Sequence, residues 1–109
     1  MRIRVLGVNG DAFGPGKAQL LEQIQQTGSL RESAARLRIS YMKAWRLANT
    51  MNENFREPLL EKTRGGRAKG GTSLTRTGHR VLAIYQRMSA RALKAAQADW
   101  KVLAPLLKS

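Results

Sequence analysis

Two short helices joined by a tight turn are predicted between Gly28 and Asn54, and this segment constrains the fold most strongly. Ser29 and Glu32 have the spacing of a capping box, in which the serine hydroxyl accepts an amide hydrogen bond and the carboxylate reaches back toward the serine amide. A helix is therefore expected to begin at Leu30. Ser40 can cap a second helix in the same way, after a short break.

The second helix is predicted to have an apolar back and a basic polar face. Its apolar positions cluster within about one third of a turn at 100° per residue. They are Ala44, Trp45, Ala48, Met51 and Phe55, and we expect Trp45 to lie in the core. Lys43, Arg46 and Thr50 project the other way. This combination is typical of a helix-turn-helix whose second helix lies in the major groove of DNA.

The charge balance favours a polyanionic partner. The 109 residues include 20 Lys and Arg against 7 Asp and Glu, which gives a formal net charge of +13. Between Glu61 and Asp99 the charged residues are all basic: Lys62, Arg64, Arg67, Lys69, Arg76, Arg80, Arg87, Arg91 and Lys94. A solvated face that only improves solubility is the alternative, but beside a helix-turn-helix pattern this charge favours nucleic acid.

Upstream of this pair of helices the sequence predicts a strand, a loop and a first helix. Residues 2–5 alternate polar and apolar side chains as a half-buried strand does, and a glycine-rich loop is expected from Gly7 to Gly16. The first helix is predicted from about Pro15 to Thr27, with Gly28 as its C-terminal cap.

Downstream, the sequence predicts a β-wing. Pro58 stops the second helix of the pair, and residues 59–63 have the composition of a short strand. Residues 64–71 read RGGRAKGG, a basic glycine-rich loop, and residues 72–74 can return as a paired strand.

A long last helix is predicted from its cap at Thr75 past Leu103, ending near Pro105. About 28 residues of helix span about 42 Å, longer than a domain this small can cover. Residues recur at heptad spacing along it in two series: Leu82, Ser89, Ala96 and Leu103, and Leu93, Trp100 and Leu107. We therefore expect pairing with a second copy, through Leu82, Leu93, Ala96, Trp100 and Leu103. Contact with the first helix is a compatible alternative.

The predicted fold class is mainly α with a small β-wing. It comprises a winged helix-turn-helix DNA-binding domain over residues 1–75 and a C-terminal dimerisation helix over residues 76–109. Cysteine is absent, so disulfides and thiolate metal sites are excluded, and the apolar run Val5–Val8 is far too short for a signal peptide or a membrane span. A soluble cytoplasmic protein without membrane contact is expected.

Two groups of side chains are predicted to contact double-stranded DNA. Phosphate contacts are expected at the start of the first helix of the pair and on the wing, because cations and free helix amides bind phosphate. The residues are Ser29, Arg31, Arg64, Arg67 and Lys69. Base reading is assigned to Ser40, Tyr41, Lys43 and Arg46. Lys43 and Arg46 could instead be only solvated, and Tyr41 could be partly core.

The sequence does not favour catalysis or a bound cofactor. Its glutamates are spread over predicted helices or used as caps, and the single histidine, His79, has no metal-ligating neighbours in the sequence. Gly16-Lys17 resembles the end of a phosphate-binding loop, but the glycine required five residues earlier is Asp11 and the next residue is Ala18. We therefore expect no catalytic residue, metal, cofactor or direct small-molecule ligand.

Several short motifs together resemble one family. They are TGSL at 27–30, Ala34-Ala35, ISY at 39–41, Ala44-Trp45, Met51-Asn52, the wing glycines and LTRTG at 74–78. Over residues 20–88 the chain resembles the N-terminal winged-helix domain of the ModE-type molybdate-responsive transcriptional regulators. The resemblance implies a bacterial or archaeal regulator that dimerises through its terminal helices, reads an operator of two half-sites and is linked to molybdenum metabolism.

The chain departs from the family pattern in two ways. Full-length members carry molybdate-binding domains after the winged helix, whereas this sequence stops at Ser109, so a short single-domain member or a fragment is expected. Arg38 stands at a turn position that the family often gives to glycine, where a left-handed conformation costs on the order of 1 kcal/mol. A protein-interaction module and a nonspecific architectural DNA binder are the alternative functions, and an enzyme has no support.

Overall fold

The described residues of a computed structural model, 2–8, 10–63 and 71–108, form a winged helix-turn-helix followed by a long helix. The helices are α1 (Pro15–Thr27), α2 (Leu30–Leu37), α3 (Tyr41–Asn54) and α4 (Arg76–Leu103). The strands are β1 (Val5–Gly7), β2 (Gly10–Phe13), β3 (Leu60–Lys62) and β4 (Thr72–Leu74), and a 3-10 turn, Ala104–Leu106, follows α4. The predicted fold class is confirmed.

Three of the helices begin at the residues that the sequence predicts as caps. The hydroxyls of Ser29, Ser40 and Thr75 each accept a hydrogen bond of 3.0 Å from the amide three residues later. Such a bond satisfies one of the amides that a helix leaves without an internal partner. Gly28 caps the end of α1 as predicted, with its N–H donating to the Ile24 carbonyl at 2.8 Å.

The N-terminal segment differs from its prediction. The predicted strand at residues 2–5 begins only at Val5, and the predicted loop contains a second strand, so that β1 and β2 form an antiparallel hairpin. Gly7 pairs with Gly10 and Val5 with Phe13. The glycines made this segment resemble a loop, but Phe13, which is 1% exposed, fixes β2 to the core.

An aromatic cluster joins this hairpin to the helices. The Phe13 ring packs edge-on against Tyr85 of α4 at 5.0 Å between centroids and against Phe55 at 6.3 Å. The Tyr85 hydroxyl also donates a hydrogen bond of 2.5 Å to the carbonyl of Ile3. Edge-to-face pairs are favourable beyond the area they bury, so the hairpin is part of the core rather than an appendage.

Asn52 connects the second helix of the helix-turn-helix to the wing. Its side-chain oxygen accepts hydrogen bonds from the amides of Leu59 (2.8 Å) and Leu60 (3.2 Å), and its nitrogen donates to the Leu60 carbonyl (3.2 Å). One partly buried amide thus satisfies three backbone groups at the start of β3. These bonds set the direction in which the wing leaves α3.

The first half of α4 belongs to the core. Leu82 is 3% exposed and Tyr85 6%, and both contact the buried cluster that includes Leu20, Leu21 and Met51. The prediction that Leu82 lies in a dimer interface needs correction, because its side chain is already covered within this chain. The division at residues 75 and 76 stays a prediction.

Gly78→Ala and Gly16→Ala should change stability in opposite directions. A Cβ at Gly78 would overlap the Leu59 carbonyl oxygen, a backbone atom that also accepts the Thr75 amide, whereas a Cβ at Gly16 would meet open space. Overpacking costs about 1–3 kcal/mol, and exchanging a helical glycine for alanine contributes about 0.5–1 kcal/mol. Urea unfolding should give a lower midpoint for Gly78→Ala and a higher one for Gly16→Ala. Equal midpoints would contradict the packing described.

Candidate DNA-binding surface

The start of α2 is held by a small hydroxyl network. The Thr27 hydroxyl lies 2.9 Å from that of the fully buried Ser33 and accepts the Ser29 amide at 3.1 Å. The predicted capping box is therefore only half formed. Ser29 caps the Glu32 amide, but the Ser29 amide is bound by Thr27, and the Glu32 carboxylate pairs with Arg36 at 3.7 Å.

The turn between α2 and α3 places Arg38 in the left-handed region. Its φ is 57° and its ψ is 40°. This conformation was expected at Arg38, because the family that the sequence resembles often has glycine at this position. The Arg38 amide donates to the Ala35 carbonyl at 3.1 Å, and the Ile39 amide donates to the Ala34 carbonyl at 3.0 Å. These two hydrogen bonds end α2 at Leu37, and the chain then turns into α3.

The N-terminal half of α3 presents the exposed face of the helix-turn-helix. Lys43 and Arg46 are exposed, and Tyr41 is 41% exposed, so it lies at the surface rather than in the core. Ser40 is exposed too, and its hydroxyl is the cap. The structure therefore places the residues predicted to read bases at one end of one helix; their contact with DNA stays a prediction.

Trp45 corrects the sequence analysis. It is 46% exposed, and Met42 beside it on this face is 54% exposed, whereas Ala44 and Met51 are fully buried. The helical position of Trp45 indicates this exposure, because Trp45 lies about 100° around the helix from Ala44, at the edge of the apolar cluster. The exposed face of α3 is thus partly apolar, with the Met42 thioether and the Trp45 indole on one side of Arg46, and Lys43 on the other.

Arg31 and Tyr41 link the two helices of the motif at the surface. The Arg31 guanidinium carbon lies 4.8 Å from the centre of the Tyr41 ring, within the range of a cation–π contact. The two side chains, both predicted to contact DNA, orient each other at the N-terminal ends of α2 and α3. Because the guanidinium lies over the ring, its N–H groups stay available to donate hydrogen bonds in the plane of the guanidinium.

The wing is attached beside the start of α2. Strands β3 and β4 pair in register from Leu60 opposite Leu74, and the Thr63 amide donates to the Gly71 carbonyl at 2.9 Å. The Thr72 amide donates to the Gly28 carbonyl, also at 2.9 Å. The predicted phosphate-binding residues Arg64, Arg67 and Lys69 lie outside the described residues.

Positive charge on this surface is not neutralised within the part of the chain that is described. The ion pairs Arg4–Asp11 at 3.8 Å and Arg36–Glu32 at 3.7 Å do not include Arg31, Lys43 or Arg46. Exposed cations at this end of the two helices suit a polyanion, whose condensed counterions are released on contact.

The histidine and the acidic residues of the described segments do not gather into a metal-binding group. The Nδ1 of His79 lies 3.0 Å from the Gln25 side-chain nitrogen, a contact between α4 and α1. Residues 2–8, 10–63 and 71–108 contain no group of three or more His, Cys, Asp or Glu side chains placed to hold a metal ion. The same residues include no helix long and apolar enough to cross a membrane.

A second uncovered surface lies on the far half of α4. Leu93 is 49% exposed, Trp100 54% and Leu103 51%, with Ala96 half-buried between them. These four residues, which we call the α4 seam, continue the helix face that carries Leu82 and Tyr85 into the core, since their angular positions coincide within about 80°. The apolar face of α4 therefore extends beyond the part of the helix that packs against the rest of the domain.

The helices, the strand pair and the exposed end of α3 together define a winged helix-turn-helix domain. A solved structure described as a CbnR_DBD–DNA complex matches it with a TM-score of 0.62 over 80% of this chain and 94% of that one, at 21% sequence identity. At that identity the likeness shows the fold alone. No protein-family model matches the chain.

Sequence comparison specifies the relationship. The transcriptional regulator ModE of Haemophilus influenzae is 41% identical over 71 residues, which are 65% of this chain and 28% of the relative. ModE of Yersinia pestis is 44% identical over 71 residues, 65% of this chain and 27% of the relative. The chain is thus similar in sequence to ModE-type transcriptional regulators over about two thirds of its length, as the motifs predicted. It spans just over a quarter of the length of these relatives.

Arg38→Gly should stabilise the protein, because glycine adopts the left-handed conformation without the steric penalty of a side chain. The expected gain in the free energy of unfolding is about 1 kcal/mol. Arg38→Ala is the matched control, since it removes the same charge but keeps a Cβ at the same φ. Thermal unfolding should show a raised Tm for Arg38→Gly only. An equal rise for both would assign the effect to charge.

Proposed function

We propose that this chain is a sequence-specific DNA-binding transcriptional regulator that binds an operator as a dimer. The observation that carries the proposal is the exposed end of α3, a helix whose buried residues Ala44 and Met51 pack in the core. Four exposed side chains lie there: Met42, Lys43, Trp45 and Arg46. Homology to named transcriptional regulators supports the same function.

The face of α3 suits base reading because it combines two kinds of side chain. Arg46 and Lys43 can donate to the guanine O6 and N7 acceptors in the major groove, while Met42 and Trp45 provide apolar contact of the kind that a thymine methyl accepts. Ser29 and Arg31, at the start of α2, are assigned to phosphates, and the basic loop at residues 64–70 is assigned to the neighbouring backbone.

The dimer is proposed from the α4 seam. Three large apolar side chains, each about half exposed, lie on one face of a helix that continues beyond its domain. Pairing two such seams would cover them and would repeat the recognition helix, as an operator of two half-sites requires. Half-sites would then be separated by about one helical turn of DNA, 34–36 Å, or a multiple of it.

Specific DNA binding is tested by fluorescence anisotropy. A labelled fragment of the DNA upstream of its own gene and a scrambled fragment are titrated at two salt concentrations, and the native fragment should be favoured by about 10³-fold or more. Arg46→Ala should reduce that ratio by a factor of about ten. Arg31→Ala should weaken binding to both fragments by the same factor and lower the salt dependence of that binding.

The other outcomes identify the alternatives. Equal binding to both fragments would indicate a nonspecific architectural DNA binder, and absence of binding at low salt would indicate a protein-interaction module. If Arg46→Ala and Arg31→Ala change the two affinities in the same way, the assignment of base and phosphate contacts is wrong.

Dimerisation is tested with two exposed apolar residues on different faces of α4. Trp100→Glu places a charge in the α4 seam and should give a monomer, whereas Val102→Glu, at a residue that is 72% exposed, should leave the dimer intact. Neither side chain is in the core, so both variants should fold. Sedimentation equilibrium gives the mass directly. A monomeric wild type, or a dimeric Trp100→Glu variant, would refute the proposed interface.

A further inference from the structure

A basic pocket lies where the start of α1, the β1–β2 hairpin and α3 meet. Its volume is about 410 Å³, and its charged lining consists of Arg2, Arg4, Asp11, Lys17 and Lys43. Four cations therefore surround one carboxylate, and that carboxylate is paired with Arg4 at 3.8 Å. Lys43 is among the predicted DNA contacts, but Arg2, Arg4 and Lys17 belong neither to those contacts nor to the α4 seam.

Lys17 is the unusual member of the lining. Its side chain is only 9% exposed, yet no hydrogen-bond or ion-pair partner for its ammonium group is found among the described residues. Burial lowers the pKa of Lys17, while the nearby Asp11 raises it and Arg4 lowers it further. No buried side-chain nitrogen or oxygen among the described residues lacks a hydrogen-bond partner, so the ammonium at the end of this largely covered side chain reaches solvent. Lys17 is part of the pocket lining, and the pocket is the open space beside it.

The first turn of α1 adds unpaired amides to the same pocket. Gly14, the N-cap, supplies no side-chain hydrogen bond, and Pro15 has no N–H. The first helical bond is donated by Ala18 to Gly14 at 2.9 Å, so the amides of Gly16 and Lys17 precede it. A Cβ on Gly16 would meet no atom within 4 Å, which leaves this helix end open.

We propose that the pocket binds one tetrahedral oxyanion of the phosphate type. The amides of Gly16 and Lys17 would donate to its oxygens at the positive end of the helix dipole, as anions at helix N-termini are bound elsewhere. The Lys17 ammonium would supply the partner charge from within, and Arg2 and Lys43 would close the site from the solvent side. Asp11 opposes the anion but is held by Arg4.

The DNA backbone is the source of phosphate that the geometry favours. Lys43 lies both in the pocket lining and on the exposed end of α3, so a phosphate in the pocket would flank the groove that α3 enters. This form of the inference rests on the proposed DNA binding. Free inorganic phosphate has the same chemistry and is the second source, and the two are separated by experiment.

The first arm uses the free protein. Inorganic phosphate is titrated at constant ionic strength against chloride while the amide resonances of Gly16, Lys17 and Ala18 are followed by ¹⁵N NMR. Saturable shifts confined to these amides are expected in the wild type. They should be lost in Lys17→Met, and also in Gly16→Asp, whose carboxylate would occupy the helix end while stabilising the helix. If Gly16→Asp raises the Tm and still abolishes phosphate binding, the loss of binding comes from the blocked site and not from a folding defect.

The second arm uses DNA, in a buffer without phosphate. Lys17→Met should lower the slope of log K against log salt by about one, whereas Lys108→Met, which removes an exposed lysine at the far end of the chain, should leave it unchanged. A reduced slope supports the pocket as a contact to the DNA backbone. Shifts with free phosphate but an unchanged slope support a site for the free ion.

The inference is overturned if Lys17→Met behaves as Lys108→Met on DNA and phosphate produces no localised shifts, or produces the same shifts in Lys17→Met as in the wild type. If the wild type binds no DNA at all, the proposed function fails, but the phosphate titration still decides the pocket. The two failures are therefore distinguishable.

Discussion

The hydrogen bonds of Asn52 are the interaction on which the arrangement of this domain depends. A single side-chain amide joins the last turn of α3 to the backbone at the start of β3. Because both the donor and the acceptor of that amide are used, a residue with only one of these functions cannot replace it. The angle between α3 and the wing is thereby set by directional bonds in addition to the apolar contact among Met51, Leu59 and Leu60, which alone would tolerate sliding.

One apolar face of α4 contributes both to the core and to the proposed dimer interface. Small and apolar residues recur every three or four positions from Gly78 to Leu103, but among the described residues only the first part of that face is buried. Gly78 allows the helix to approach Leu59 closely, and Tyr85 closes the core at Ile3. Beyond Tyr85 the same pattern faces solvent. The core and the proposed interface are therefore continuous, and a rotation of the helix would disturb both.

Local chemistry explains which features the sequence could predict. Caps, the glycine at the end of α1 and the left-handed Arg38 depend on neighbouring residues, and all of them were predictable. Burial depends on the other elements. Trp45 is apolar yet exposed, and Leu82 fits a heptad yet lies in the core, because what covers a helix face is decided by distant segments. The β1–β2 hairpin was missed since its stability comes from Phe13 and its contacts with Tyr85 and Phe55.

Arg38 shows that stability and function make different demands on this domain. Its backbone strain is present in the folded protein at all times, whereas its charge, at the turn before α3, would contribute only when the proposed polyanion is bound. A laboratory selection for thermal resistance would therefore favour glycine at this turn and discard a cation from the surface. Thermostability would then be a poor guide to which variants of this protein retain their affinity.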